Sequence, residues 1–158
     1  RYQTTHTAKV TGQECKAAEI LRAHYEGAQV CLRIDDAMPQ DSYRIEGSHD
    51  DITISASTQH GLLYGAFALL RNEDGYSAPY YDLRILNHWD NLDGSIERGY
   101  AGESIFWNDQ LEIDHNKIEA YAMANASIGI NGTVLNNVNA SPKMLTAVYI
   151  NKVKEIAP

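Results

Sequence analysis

The first half of the chain alternates between helical and extended patterns. Apolar residues recur near helical spacing over residues 13–25, and Gly27 provides a stop after them. Residues 29–34 are predicted to form a strand. Residues 43–46 and 51–57 are predicted to form a hairpin-like pair, and the alternation of apolar and polar positions in the second of them indicates a sheet with one covered face.

A further helix is predicted over residues 59–71, with Thr58 as its N-cap. Gly61 and Gly65 lie four residues apart in this helix and would let another element approach closely. We interpret them as a packing notch, because a membrane-embedded glycine motif needs about 20 apolar residues. With a weak strand candidate at residues 8–10, the predicted order is strand, helix, strand, strand, strand, helix, which indicates a small α/β sandwich.

The pattern changes after residues 72–79, which we predict to be a linker because they contain Gly75 and Pro79. A strand is predicted over residues 80–88 and a helix over residues 115–127. Gly129 follows this helix at the position where glycine commonly ends one.

A second strand is predicted over residues 133–138, and a last helix begins at Ser141 and Pro142 and ends near Ala157. Two consecutive strand-then-helix units normally belong to a parallel sheet or an eightfold barrel, and two are too few to close a barrel. We therefore predict two domains, residues 1–75 and 76–158, the second being either part of a parallel sheet or the start of an incomplete (β/α)8 barrel.

A loop dense in polar and aromatic groups, residues 88–102, follows the first strand of the second domain. Functional groups gather at the C-terminal ends of parallel strands, so this loop and residues 136–139 should face the same edge. An indole beside amides and carboxylates is typical of a sugar site, where the ring covers a pyranose face and polar groups bind hydroxyls. The candidate substrate-binding residues are Trp89, Asp90, Asn91, Glu97, Arg98, Asn137 and Val138.

These candidates differ in their expected roles. Trp89 is favoured as a wall of the ligand site over a core aromatic, and Asp90 and Asn137 are expected to hydrogen-bond sugar hydroxyls. Arg98 either grips a carboxylate through a two-pronged pair or braces a loop carboxylate, and bracing is slightly favoured. Val138 is equally compatible with lining the pocket and with pointing into the barrel.

His88 invites an acid–base role because it adjoins Trp89 and Asp90. Side chains alternate along a strand, so His88 and Trp89 cannot both face the same side. A structural histidine is the favoured interpretation. The carboxylates Asp90, Asp93 and Glu97 carry no feature that marks any of them as a catalytic acid or base, and we assign no catalytic residue.

The composition narrows the function classes. The 158 residues are 44% hydrophobic and 22% charged, as in an ordinary globular protein, and no run is long enough to predict a transmembrane helix. The formal charge of −8 argues against nucleic acid as a partner. It is mildly unfavourable for an acidic sugar too, although one local arginine or lysine can outweigh it. Cys15 and Cys31 have no zinc-site spacing, and we expect neither metal nor cofactor.

Two long runs resemble the α-glucuronidases of glycoside hydrolase family 67. N-H-W-D-N-L-D-G-S-I-E-R-G-Y-A-G (residues 87–102) is similar to the run that follows the first barrel strand of that family. A-S-I-G-I-N-G-T-V-L-N-N-V-N-A (residues 126–140) resembles its second barrel strand. The earlier segments Y-R-I-E (43–46) and I-T-I-S-A-S-T-Q-H-G-L-L-Y-G (52–65) resemble the non-catalytic domain that precedes the barrel in hexosaminidase-like and glucuronidase families.

This resemblance implies an N-terminal piece of an enzyme that removes α-1,2-linked (4-O-methyl)-glucuronic acid from xylan-derived oligosaccharides by inversion, without a metal. The family's acid and base come from later barrel strands, so this chain alone is expected to be inactive. The implied partners are a glucuronic-acid-bearing xylo-oligosaccharide and either the remainder of the barrel or a second copy of the chain.

The alternative is a stand-alone carbohydrate-binding or interaction domain. Its parallel strands would then need covering, because parallel sheets are normally buried on both faces. The compartment stays open between a bacterial periplasm, which we prefer, and the cytoplasm.

Overall fold

The computed structural model describes residues 8–48 and 50–157. The chain divides into two compact units. Unit 1 runs to Asp82 and includes Ala126–Gly129, and unit 2 consists of Leu83–Asn125 and the residues from Ile130 onward. His49, in the predicted hairpin turn, lies outside the described residues. The domain boundary placed between residues 75 and 76 stays a prediction.

Unit 1 is an open mixed sheet with two helices. Its strands are β1 (Lys9–Gly12), β2 (Gln29–Ile34), β3 (Tyr43–Ser48), β4 (Asp51–Ala56) and β5 (Gly75–Ser77), in the spatial order β1-β2-β4-β3-β5. The first three strands in this order run parallel, while β3 is antiparallel to both β4 and β5. The helices are α1 (Lys16–His24) and α2 (Gln59–Leu70). The predicted α/β class is confirmed, as a mixed fold with an open sheet.

The core of unit 1 lies between the two helices and one face of the sheet. Alternate strand residues such as Val30, Leu32 and Ile54 are fully buried there against apolar residues of α1 and α2. A Cβ atom on Gly61 would lie 2.6 Å from the Ser42 carbonyl oxygen, and one on Gly65 would lie 2.7 Å from a methyl group of Ile54. The predicted packing notch is therefore confirmed.

The predicted linker over residues 72–79 is wrong in part, because it contains β5. This strand has three exposed residues and pairs with β3 at the sheet edge. A strand so short has too few side chains to produce a detectable period. The weak strand candidate at residues 8–10 is β1, displaced toward Gly12.

Unit 2 contains a parallel pair of short strands, β6 (Ile85–Asn87) and β7 (Gly132–Val134). Its helices are α3 (His115–Ala126), whose last residue belongs to unit 1, and α4 (Ala147–Ile156), preceded by a 3₁₀ helix (Pro142–Leu145). Both strands are much shorter than predicted. No barrel closes within residues 8–48 and 50–157, and the two strands have exposed apolar residues that further strands would normally cover.

The single last helix predicted from Ser141 is also wrong. Thr146 adopts an extended backbone conformation and separates the 3₁₀ helix from α4. The start of this segment is as predicted, because the Ser141 hydroxyl accepts a hydrogen bond from the Lys143 backbone N–H and Pro142 holds the first helical position.

Leu92, Phe106 and Trp107 form the centre of a second core in unit 2.

No helix among the described residues is long and apolar enough to cross a membrane. In the same part of the chain, no group of three or more His, Cys, Asp or Glu side chains is arranged to hold a metal ion. Cys15 and Cys31 are both free and partly buried. Cys15 packs against the core of unit 1, as expected for a small apolar side chain.

Candidate functional site

The 88–102 loop folds back on itself through its own backbone. The Glu97 N–H donates to the Trp89 carbonyl at 2.8 Å, and the Asn91 N–H donates to the Ser95 carbonyl at 2.8 Å. The Asn91 amide then donates to the Glu97 carbonyl at 2.8 Å and to the Ser95 hydroxyl at 3.1 Å. Asn91 therefore braces the loop from inside, and Glu97 adopts the left-handed conformation that this fold-back requires (φ +56°).

A local carboxylate closes the turn at the centre of this loop. Asp93 accepts hydrogen bonds from the Ser95 hydroxyl at 2.7 Å and from the Ser95 backbone N–H at 3.0 Å. The bond from the Ser95 side chain, followed by that from its backbone, lowers the pKa of the Asp93 carboxyl below its ordinary value. The Asp93 carboxyl therefore stays ionised to a lower pH than an ordinary aspartate, and it stabilises this turn.

Asp90 is the buried anchor of the loop, with 1% of its surface exposed. Its carboxylate accepts a hydrogen bond from the Ser104 hydroxyl. The oxygen of that hydroxyl in turn accepts the backbone N–H groups of Phe106 and Trp107, each at 3.0 Å. Asp90 therefore orders the turn that brings both aromatic side chains into the core of unit 2.

His88 lies beside this anchor in a ring of aromatic contacts. Its Nε2 is 2.5 Å from the Tyr121 hydroxyl, and its Nδ1 is 3.5 Å from Asp90 Oδ1. Its ring also meets the rings of Phe106 and Tyr121 edge to face. This environment supports the structural interpretation of His88, because the side chain is held within the unit instead of facing an open site.

Asn137 joins the end of β7 to the same loop. Its backbone N–H donates to the Asp90 carbonyl at 2.8 Å, and its side-chain amide donates to the Glu97 carbonyl at 3.4 Å. Its side-chain oxygen accepts the Asn139 N–H at 3.0 Å. Asn137 is buried, so both its donor and acceptor groups serve the local fold. The strand ends after β6 and β7 are therefore brought together, as the pattern predicted.

The remaining candidates face outward. Trp89 is 42% exposed and Val138 is 76% exposed, so Val138 does not point into a core. Arg98 is exposed, and within the part of the chain that the structure describes no carboxylate pairs with its guanidinium group. Glu97 accepts a hydrogen bond from the Tyr100 hydroxyl, which raises the pKa of Tyr100. The bracing role favoured for Arg98 is absent from these described contacts.

An open groove of about 570 Å³ borders the loop within unit 2. Its lining is acidic and includes Glu103, Asp109, Glu112 and Asp114, with Lys117 as the basic group. Such a lining would repel a uronic carboxylate. The exposed indole and guanidinium of the loop are therefore better suited to an acidic sugar than the groove beside it.

Sequence reasoning missed Ser104, Trp107 and Tyr121, which complete the anchor around Asp90. The Trp107 indole N–H donates to the Leu135 carbonyl at 3.1 Å, next to the end of β7. Ser104 lies between the patterned segments, and Tyr121 lies in the predicted helix over residues 115–127, whose pattern does not indicate a hydroxyl contact. The role of each side chain depends on how the chain closes, over 14 residues in the case of Ser104 and Asp90.

Comparison with known proteins shows which family this chain is similar to. Residues 68–158 match the profile of the "Glycosyl hydrolase family 67 middle domain". The chain is 36% identical over 140 residues to a "Probable alpha-glucuronidase A" of Aspergillus oryzae, covering 82% of this chain and 17% of the relative. It is 41% identical over 130 residues to the "Alpha-glucuronidase A" of Aspergillus tubingensis, covering 76% and 16%. The chain thus spans less than a fifth of these curated relatives.

Solved structures give the fold alone. A family 20 β-N-acetylglucosaminidase aligns over 84% of this chain and 26% of its own, with a TM-score of 0.55 and 21% identity. A family 138 enzyme described as "targeting pectin rhamnogalacturonan II" aligns over 94% and 22%, with a TM-score of 0.59 and 13% identity. The likeness to the first of these agrees with the predicted likeness of unit 1 to the domain that precedes the barrel in hexosaminidases.

Proposed function

The chain belongs to glycoside hydrolase family 67, and from this premise we propose that it forms part of an enzyme that hydrolyses α-1,2-linked (4-O-methyl)-glucuronic acid from xylan-derived oligosaccharides by inversion. The names of the Aspergillus relatives, each an α-glucuronidase, support the activity. The half-exposed indole of Trp89 carries the proposal for this chain. It stands on a loop whose base is fixed by a buried carboxylate, as a preorganised sugar-stacking surface requires.

Within this site we assign two kinds of role to the predicted residues. Trp89, Arg98 and Val138 face outward and form a wall for the sugar, with Glu97 beside them. The other three, Asp90, Asn91 and Asn137, hold that wall in place through the hydrogen bonds described above. No catalytic carboxyl is assigned to this chain.

The exposed apolar positions of the β6–β7 pair support a covering partner. Parallel strands are normally buried on both faces, and Ile85, Leu86 and Val134 are exposed here. We propose that the remainder of a (β/α)8 barrel covers them in the complete protein, and that a second copy of the chain does so when the chain is isolated.

An assay of glucuronic acid release tests the proposed activity. An inverting mechanism needs an acid and a base carboxyl about 6.5–9.5 Å apart. Because neither is assigned to this chain, the isolated chain is expected to release no glucuronic acid from aldouronic oligosaccharides. The complete protein that contains this chain is expected to release the β-anomer first, as NMR of the fresh product would detect. Sugar binding without release by the complete protein would instead favour the alternative of a binding domain.

Replacing Trp89 by alanine is expected to weaken binding of an aldouronic oligosaccharide about tenfold, because stacking of an indole on a sugar face contributes roughly 1.4 kcal/mol. Isothermal titration calorimetry on the isolated chain measures this. Tyr80→Ala is the matched control, since Tyr80 is also an exposed aromatic but lies outside the 88–102 loop. Equal affinities of the Trp89 variant and the parent chain would remove Trp89 from the site.

A further inference from the structure

The face of the unit 1 sheet opposite the helices carries a row of polar side chains. The strand register places Arg33 of β2 beside Ser55 of β4, Ser55 beside Arg44 of β3, and Arg44 beside Tyr76 of β5. Each alternates along its strand with residues on the helix-covered face, so the four share the opposite face. We refer to these four residues as the arginine row.

Ser55 is the unusual member of the row. It is 2% exposed, and its hydroxyl has no hydrogen-bond partner among the described residues. Buried hydroxyl groups are nearly always hydrogen-bonded, because leaving one unpaired costs free energy. An unpaired hydroxyl between two arginines indicates a place where a bound group supplies the missing partner.

Both flanking arginines are available to a ligand. Arg33 is exposed, and within residues 8–48 and 50–157 its guanidinium group makes no ion pair. The Arg44 guanidinium is 3.9 Å from the Glu46 carboxylate, both side chains being about half-exposed, and such a surface contact contributes little. The Arg44 guanidinium lies over the ring of Tyr76, 5.3 Å from the ring centre. This cation–π contact restrains the position of the guanidinium.

The spacing suits one anion held from two sides. Arg33 and Arg44 flank β4, so their backbones lie roughly 10 Å apart, about twice the spacing of neighbouring strands. Long arginine side chains can converge across that distance over the Ser55 hydroxyl. A carboxylate accepts two parallel N–H bonds from a guanidinium group, and the hydroxyl would donate a further bond.

We propose that the arginine row binds the carboxylate of a uronic acid on a xylan-derived oligosaccharide, at a second sugar site in unit 1. The identity of the sugar rests on the proposed function, whereas the anion chemistry rests on the row itself. Tyr76 is 50% exposed and offers a partly free aromatic surface next to the carboxylate position. The row also supplies local positive charge to a chain whose formal charge is −8, which would otherwise repel an acidic glycan.

The test uses ¹H–¹⁵N NMR and calorimetry on the isolated chain, with a xylotriose that carries one glucuronic acid as the probe. Amide shifts are expected around the four residues of the row, and neutral xylotriose should leave them unchanged. Arg33→Gln combined with Arg44→Gln is expected to lower the affinity at this site at least tenfold, because both charge-assisted partners of the carboxylate are lost. The conservative pair Arg33→Lys and Arg44→Lys should lose less, because charge is kept and only the two-pronged geometry is lost.

Arg22→Gln is the matched control, because Arg22 lies on α1 of the same unit and is paired with Glu14. It should leave the affinity of the row unchanged. Absence of shifts at the row, or equal affinity of the glutamine variant and the parent, would overturn the proposal. Inorganic sulfate that competes as well as the acidic sugar at equal ionic strength would also overturn it and would identify an adventitious ion only.

The two proposals fail separately. Trp89→Ala should raise the probe concentration needed for shifts in the 88–102 loop about tenfold and leave the shifts of the arginine row unchanged. If the complete protein releases no glucuronic acid while the row still binds the acidic probe, the proposed function fails and the row remains a carboxylate site. If release occurs and the row shows no shifts, the second site fails alone.

Discussion

Replacing Asp90 by alanine is expected to destabilise unit 2 by about 2–4 kcal/mol. The carboxylate is buried and accepts the Ser104 hydroxyl, whose oxygen fixes the backbone N–H groups of Phe106 and Trp107. Its removal leaves that hydroxyl without its acceptor, creates a small cavity and frees the turn that inserts both aromatic rings. His88 loses its neighbouring carboxylate in the same step.

The sequence offers a selective probe for this experiment. The chain has two tryptophans, Trp89 and Trp107, and both lie in unit 2. Urea unfolding followed by tryptophan fluorescence therefore reports on unit 2, and the midpoint of that transition should fall in the Asp90 variant.

Asp93→Ala is the matched control, because Asp93 is an exposed carboxylate of the same loop whose bonds are local, and it should cost less than about 1 kcal/mol. Asp90→Asn keeps the shape and one acceptor oxygen, so its loss should lie between the two. An alanine variant with an unchanged midpoint would mean that the Asp90–Ser104 contact does not hold the turn.

The contrast between the two carboxylates shows what the pattern of residues could and could not predict. Residue type and position after a strand were enough to place Asp90 and Asn137 at one edge, and the backbone bond between them confirms that juxtaposition. Their orientation was not predictable. It depends on Ser104 and Glu97, whose positions are set by the closure of an irregular loop with no period.

The strands also show which features the sequence pattern can predict and which it cannot. The alternation in β4 was readable because one face is buried under α2, so each second residue had to be apolar. The predicted lengths of β6 and β7 are too long. An apolar run indicates that a strand is suited to burial, but it carries no information about which neighbouring strands are present to pair with it. β5 was missed because its three residues have no buried face.

In the packing notch of α2, the close approach of the sheet and the helix propensity of alanine predict opposite signs for the change in stability on a glycine-to-alanine substitution. Gly→Ala in an exposed helix interior normally stabilises a protein by up to about 1 kcal/mol, because alanine is the better helix former. In α2, however, a Cβ on Gly61 would lie 2.6 Å from the Ser42 carbonyl oxygen and 2.9 Å from the Ala56 methyl group. Gly61→Ala is therefore expected to destabilise unit 1 by about 1–3 kcal/mol, as overpacking does.

Because unit 1 contains no tryptophan, amide hydrogen exchange read by mass spectrometry is the appropriate measurement. Peptides from β4 and α2 should exchange faster in the Gly61 variant, since the helix must move away from the strand to admit the methyl group. His60→Ala, at an exposed position of the same helix, should leave exchange nearly unchanged. Slower exchange in the Gly61 variant would mean that helix propensity outweighs the close approach, and that α2 has room to shift from the sheet without loss of packing.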